Sequence, residues 1–237
     1  MPETLIYQAD GLTMHSQLFV EGTGKKPGVL VFPEAFGLSE HAIGKAKRLA
    51  GMGYAALACD LHGDAKLVTD LQEAIGLLTP LFSAPARTRD RASAALRALV
   101  ARPEVDAGRV AAIGFCFGGT MALELARSGA DIKAAVGFHS GLATAAPKTD
   151  AHNIRGKILV CIGADDPMIP HDQRHAFEQE MRDAKVDWQM HLYGNTVHSF
   201  TAPEAASRNM PDAIRYSPSA DARSWAAMTG LFGETLA

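Results

Sequence analysis

Residues 109–127, RVAAIGFCFGGTMALELAR, constrain this chain more than any other stretch. An apolar run from Val110 to Ile113 is followed by Gly114-Phe115-Cys116-Phe117-Gly118-Gly119, and then by Met121, Leu123, Leu125 and Ala126 at helical spacing. That reads as a strand, a tight turn and a helix, with a cysteine at the apex of the turn. Glycines two before and two after the apex suit a sharp strand-to-helix turn, because the crowded backbone leaves no room for a Cβ at either place. The pattern is G-x-C-x-G, the cysteine form of the nucleophile elbow. Cys116 is therefore a candidate nucleophile toward a carbonyl, and its catalytic partners should lie elsewhere in the chain.

The balance of residues says which partners to leave aside. Twenty-three basic against 26 acidic residues give a formal charge of −3, with no basic patterning that would select nucleic acid or an acidic membrane surface. The first residues lack the basic and apolar regions of a secretory leader, and no apolar run reaches the ~18 residues of a membrane span. A cytoplasmic location is the expectation. Cys59, Cys116 and Cys161 are an odd set with no CxxC pair, which fits reduced thiols rather than a disulfide framework or structural zinc. Cys59 and Cys161 lie within apolar runs and read as small core residues.

The 237 residues read as a single domain, 1–237, of α/β class. Leu5–Ala9 and Met14–Val20 are expected as a hairpin across Asp10-Gly11, forming an antiparallel N-terminal edge. Strands are expected at Val29–Phe32, Tyr54–Cys59, Val110–Ile113, Ala134–Phe138, Ile158–Ile162 and Trp188–Leu192. Helices are expected at Ser39–Met52, Leu67–Phe82, Thr88–Ala101, His171–Ala184 and Ala220–Leu236. Alternation of this kind gives a mainly parallel central sheet flanked by helices on both faces. Arg89, Arg91 and Arg97 fall largely off the apolar face of the third helix and read as a solvated surface. Thr201–Pro218 has no clear period.

In a parallel sheet, functional groups gather in loops after the carboxyl ends of strands. Three such loops carry suitable side chains: Pro33-Glu34-Ala35-Phe36-Gly37, Gly163-Ala164-Asp165-Asp166-Pro167, and Tyr193 through His198-Ser199-Phe200. Nucleophile, acid and histidine then follow in the chain order of the α/β-hydrolase fold. Spacing alone leaves Asp165 and Asp166 both open as the acid.

These loops, together with Gly53-Tyr54-Ala55-Ala56 and Asp60-Leu61, make the chain similar to the dienelactone hydrolase (carboxymethylenebutenolidase) family over nearly its whole length. The resemblance implies a triad of Cys116, His198 and Asp166, the acid being the one four residues before Pro170. It implies an oxyanion hole from the backbone N–H groups of Ala35 and Phe117, and a role for Glu34 in contact with the resting cysteine. Phe36, His62 and His139 are candidate pocket residues. An ordinary thiol has a pKa near ~8.5, so Cys116 needs the base and the positive end of the following helix. His171 and His175 have the i, i+4 spacing of a metal pair but no third ligand, and read as surface residues.

The family holds its substrate carboxylate with arginines, one of them shortly after the His-Ser-Phe motif. Here Ala202 stands at that place, and Lys66–Phe82 contains no arginine. Arg208 and His62 are the candidates to compensate. The expected activity is a carboxylic ester hydrolase cleaving a small lactone, ester or thioester, without cofactor or metal, as a monomer or small homo-oligomer. The alternatives are a broad carboxylesterase or thioesterase unrelated to aromatic catabolism, and a catalytically silent binder of a small ligand.

Overall fold

The N-terminal hairpin forms where Asp10 and Gly11 both take positive φ, 50° and 73°, as a two-residue primed turn demands. It joins β1 (Glu3–Ala9) to β2 (Leu12–Phe19) in antiparallel register. The structure is a computed structural model and describes residues 2–237. β3 (Lys26–Phe32), β4 (Ala55–Ala58), β5 (Val105–Phe115), β6 (Ala134–Phe138), β7 (Lys157–Gly163) and β8 (Trp188–Tyr193) complete one sheet of eight strands, in the order β1-β2-β4-β3-β5-β6-β7-β8. β2 pairs antiparallel with β4, and every pairing from β4 to β8 is parallel.

The continuous apolar runs are explained by burial on both faces. Val29 and Val31 of β3 pack with α1 (Glu40–Gly51) and α7 (Pro218–Thr235), through Ala42, Leu49, Trp225 and Phe232. Leu30 and Phe32 face the opposite way. They join Leu99 of α3 (Pro85–Val100), Met121 and Leu125 of α4 (Phe117–Arg127), and Phe177 of α6 (His171–Asp183). Alternate residues of one strand thus feed two cores, and the carboxyl ends of β3 to β8 share one edge of the sheet.

Three sequence expectations are corrected. The helix expected from Leu67 is α2, Leu71–Ser83, because Asp70 accepts the Glu73 amide as its N-cap while Leu67 bridges to Gly37. The next helix starts at Pro85 rather than Thr88, proline being well placed in a first turn. The arginines of α3 are not all a solvated face. Arg91 is buried, clasping Asp10 of the β1–β2 turn and the Leu61 carbonyl, and Arg89 binds Glu124 and Asp150. The structure also adds a short α5 (Pro147–Asp150), and a 3-10 turn at Pro203–Arg208 within the stretch that lacked a period.

Candidate active site

The turn at the end of β5 is as crowded as its glycines imply. A Cβ on Gly114 would collide with the Gly118 carbonyl, and one on Gly118 with the carbonyls of Phe32 and Pro33. Cys116 itself sits at φ 54°, ψ −121°, a conformation an L-residue adopts only when its surroundings hold it there. It is partly buried at the N-cap position of α4, so the helix directs its positive end toward the thiol. Phe117 opens that helix, where a backbone N–H has no intrahelical acceptor. Cys59 and Cys161 are fully buried in the sheet. Burial pushes both thiols up, that of Cys161 to about 12.

After β7 and β8, Asp166 and His198 meet. His198 Nδ1 donates to Asp166 Oδ2 at 2.8 Å, and the second carboxylate oxygen accepts the Met168 amide at 2.8 Å. Both side chains are almost wholly buried, whereas Asp165 is exposed and engages Thr196 through its backbone. Of the two carboxylates that spacing left open, only Asp166 touches the imidazole. His198 Nε2 is buried without a hydrogen-bond partner, and His198 and Cys116 line the same cavity of about 270 Å³. Burial alone would lower the His198 pKa. The negative charge of the nearby Cys116 sulfur and the bond to Asp166 outweigh it and raise the pKa to about 10.

Glu34 is buried but does not engage the thiol. Its Oε1 accepts from Ser199 Oγ at 2.9 Å and its Oε2 from Arg208 Nη2 at 3.2 Å, while the Arg208 guanidinium lies 3.8 Å above the Phe36 ring. The contact with resting Cys116 that the family resemblance implied is replaced by this cluster. Glu34, Phe36 and Arg208 line a separate cavity of about 430 Å³ that Cys116 does not reach. Phe36 is accordingly a wall of the neighbouring chamber rather than of the one beside the thiol. Ligand atoms of Glu34, His41 and Glu204 come within 4.8 Å of one another. The Glu34 oxygens already bind Ser199 and Arg208, and the guanidinium supplies the positive charge that a metal ion would bring.

The two pocket histidines expected from the sequence are both redirected into support. His62 is buried and donates from Nε2 to the Ala35 carbonyl at 2.8 Å, fixing the loop after β3. Burial lowers its pKa, which keeps the ring neutral. Asp60 organises the loop around it, accepting the amides of His15, His62, Gly63 and Ala65. His139 is completely buried beneath the elbow. Its Nδ1 accepts the Cys116 amide at 3.1 Å, its Nε2 donates to Thr201 Oγ1 at 2.8 Å, and its ring stands edge-on to His198 with centroids 5.1 Å apart. Burial lowers the His139 pKa well below its ordinary value, so the ring stays an acceptor. Ser199 and Thr201, both buried, were missed as site residues. Serine and threonine carry no periodic signal, and the bonds they make join positions more than sixty residues apart.

A model of the dienelactone hydrolase family matches residues 15–236. Two solved structures overlay essentially the full length. A protein called m3DLH is 50% identical, with a TM-score of 0.95 over 100% of this chain and 99% of that one. A dienelactone hydrolase-like promiscuous phosphotriesterase from metagenomic libraries is 45% identical, with a TM-score of 0.94 over the same shares. A Yersinia pestis protein provisionally named carboxymethylenebutenolidase is 29% identical over 209 residues, covering 84% of this chain and 78% of its own. With the fold, the strand-end loops and these likenesses together, the chain belongs to the dienelactone hydrolase family of α/β-hydrolases.

Proposed function

We propose that this hydrolase cleaves a small lactone, ester or thioester through Cys116, His198 and Asp166. One observation carries the reading: Asp166 occupies His198 Nδ1, which leaves a buried, unpartnered Nε2 on the cavity that Cys116 also lines. His198 holds the proton taken from the thiol, and its raised pKa keeps that proton in place through neutral pH. The Cys116 thiolate attacks the substrate carbonyl carbon, and the π pair moves to oxygen. The resulting oxyanion is met by the amides of Ala35 and Phe117, each donor worth a few kcal/mol in the transition state. Collapse re-forms the carbonyl and expels the alkoxide or thiolate, which takes the proton from His198. Neutral His198 then accepts a proton from water, whose oxygen attacks the thioester. The second collapse returns Cys116 as thiolate and releases the acid. Sulfur leaves a tetrahedral adduct more readily than an amine, which favours esters and lactones over amides.

A second reading extends the same attack to phosphorus. The chamber beside Cys116 presents no ionised side chain apart from the triad, which suits a neutral triester, and a protein 45% identical is described as a promiscuous phosphotriesterase.

The test is turnover of p-nitrophenyl esters, lactones, acyl thioesters and a p-nitrophenyl dialkyl phosphate, with Cys116→Ala as the blank. Mass spectrometry of quenched enzyme should show an acyl adduct on the peptide containing Cys116. Hydrolysis that survives in the blank sinks the proposal. A thiol of ordinary reactivity with no ester turnover would favour the silent binder.

A further inference from the structure

The cavity beside Cys116 is not alone. Beside its lining of Leu78, Phe82, Phe117, Ala143, Met168 and Ile169 lies a second chamber of about 190 Å³ between α2, the start of α3 and residues 143–145. Phe82, Phe117, Thr120 and Ala143 line both chambers, which therefore adjoin. The Phe82 ring stands edge-on to Phe117 with centroids 5.0 Å apart and is 61% exposed, on the solvent side of both chambers.

The polar groups along this route are almost all committed. Thr120 Oγ1 donates to the Gly141 carbonyl and Thr88 Oγ1 to that of Leu81. Glu124, the one acid in the far chamber, is 3% exposed and bound by both Arg89 and Arg127. Thr144 Oγ1 is the buried side-chain oxygen left unpartnered there, and it is uncharged. The wall at residues 141–143 is pinned, Leu142 donating to Gln173 and accepting from Arg127. The partly buried guanidinium of Arg208 lies in the other cavity with Glu34 and Phe36.

We infer that the two chambers form an acyl tunnel, and that the substrates are uncharged esters or thioesters whose apolar acyl tail runs from Cys116 past Phe82 and Ala143 into the far chamber. The inference rests on the catalytic reading above. The tail is assigned to the acyl side because the acyl group alone stays bonded to sulfur after the first collapse. The chamber lined by that sulfur therefore has to hold it, while the leaving group departs. Each methylene taken from water into such a tunnel is worth roughly fourfold in binding.

The experiment measures kcat/KM for p-nitrophenyl acetate, butyrate, hexanoate and octanoate, and for a p-nitrophenyl ester whose tail ends in a carboxylate beside its methyl ester. In the wild type, octanoate should exceed acetate by at least tenfold, and the carboxylate-ended tail should fall at least tenfold below its methyl ester. Ala143→Trp, which fills the passage from an exposed loop position, should lower the octanoate-to-acetate ratio at least tenfold. Phe82→Ala should lower it severalfold by raising KM for the longer tail. Stoichiometric titration of Cys116 shows that each variant is folded. A flat response to chain length, or a ratio preserved in both variants, overturns the tunnel while leaving Cys116-dependent hydrolysis intact. Equal turnover by the Cys116→Ala blank instead removes the catalytic reading and the tunnel with it.

Discussion

Replacing Asp166 with asparagine should disable His198 through its tautomer rather than its position. Asp166 accepts two N–H groups, from His198 Nδ1 on one oxygen and from Met168 on the other. Asparagine has one oxygen. If that oxygen keeps the Met168 amide, the Nδ2 group faces His198, Nδ1 must become the acceptor, and the proton moves to Nε2, where the ring no longer takes a proton from Cys116. If the amide flips, the part-buried Met168 N–H faces another N–H, at a cost of about 1–3 kcal/mol. That cost alone removes roughly five- to 150-fold in rate. Loss of the carboxylate charge that supports the imidazolium adds roughly one to two pKa units, another ten- to hundredfold. Acylation measured by stopped flow with a p-nitrophenyl ester should therefore fall between about a hundredfold and ten-thousandfold in Asp166→Asn. Asp165→Asn should stay within twofold of wild type, since Asp165 is exposed and its side chain does not meet His198. A loss below tenfold in Asp166→Asn, with far-ultraviolet circular dichroism unchanged, would refute the tautomer argument.

Other outcomes follow from single contacts. Arg127 is 1% exposed and makes a two-pronged pair with Glu180, so Arg127→Met should cost about 3–5 kcal/mol by stranding a buried carboxylate. The double variant Arg127→Met/Glu180→Met should recover most of that in urea melts, and a double variant as unstable as the single one contradicts the account. His198 has a folded pKa of about 10, raised above its ordinary 6.5. Its contribution to stability is thus complete below about pH 6.5 and lost as pH climbs through 10. Thermal melts of wild type against Cys116→Ser should show the weaker loss over that window in the variant, because the thiolate charge is the largest raising influence; parallel pH curves would count against it. Glu34 is held by Ser199 and Arg208 rather than by the thiol, so the pH profile of Cys116 alkylation in Glu34→Gln should superimpose on that of wild type. A displaced profile would show that Glu34 acts on the thiol and would refute this assignment.

The elbow was legible in the sequence because its cause is local. Gly114 and Gly118 border Cys116 in the chain, and the collisions that demand glycine arise within the same turn and the neighbouring β3 end. The strands were legible for a related reason, since burial on both faces leaves an unbroken apolar run. Helix starts were less so. Asp70 capping Glu73 decides where α2 begins, and the apolar pattern carries on through Leu67 regardless.

Charged and polar side chains are where the sequence fell short. Arg91 looked like surface because its helical position lies off the apolar face, yet the β1–β2 turn brings Asp10 across to it. His62 and His139 looked like pocket residues because they follow strands, and both turned inward to hold the backbone of Ala35 and Cys116. The sequence by itself determined the fold class, the apex cysteine, and the loops on which acid and histidine lie, because those depend on turn geometry and strand order. Only the tertiary structure decided that Asp166 rather than Asp165 meets His198, that Glu34 is held by Ser199 and Arg208, and that a second, largely apolar chamber adjoins the one lined by Cys116. The physical reason is that a hydrogen bond about 3 Å long is set by where separate loops converge at one sheet edge, and residue spacing along the chain does not encode that convergence.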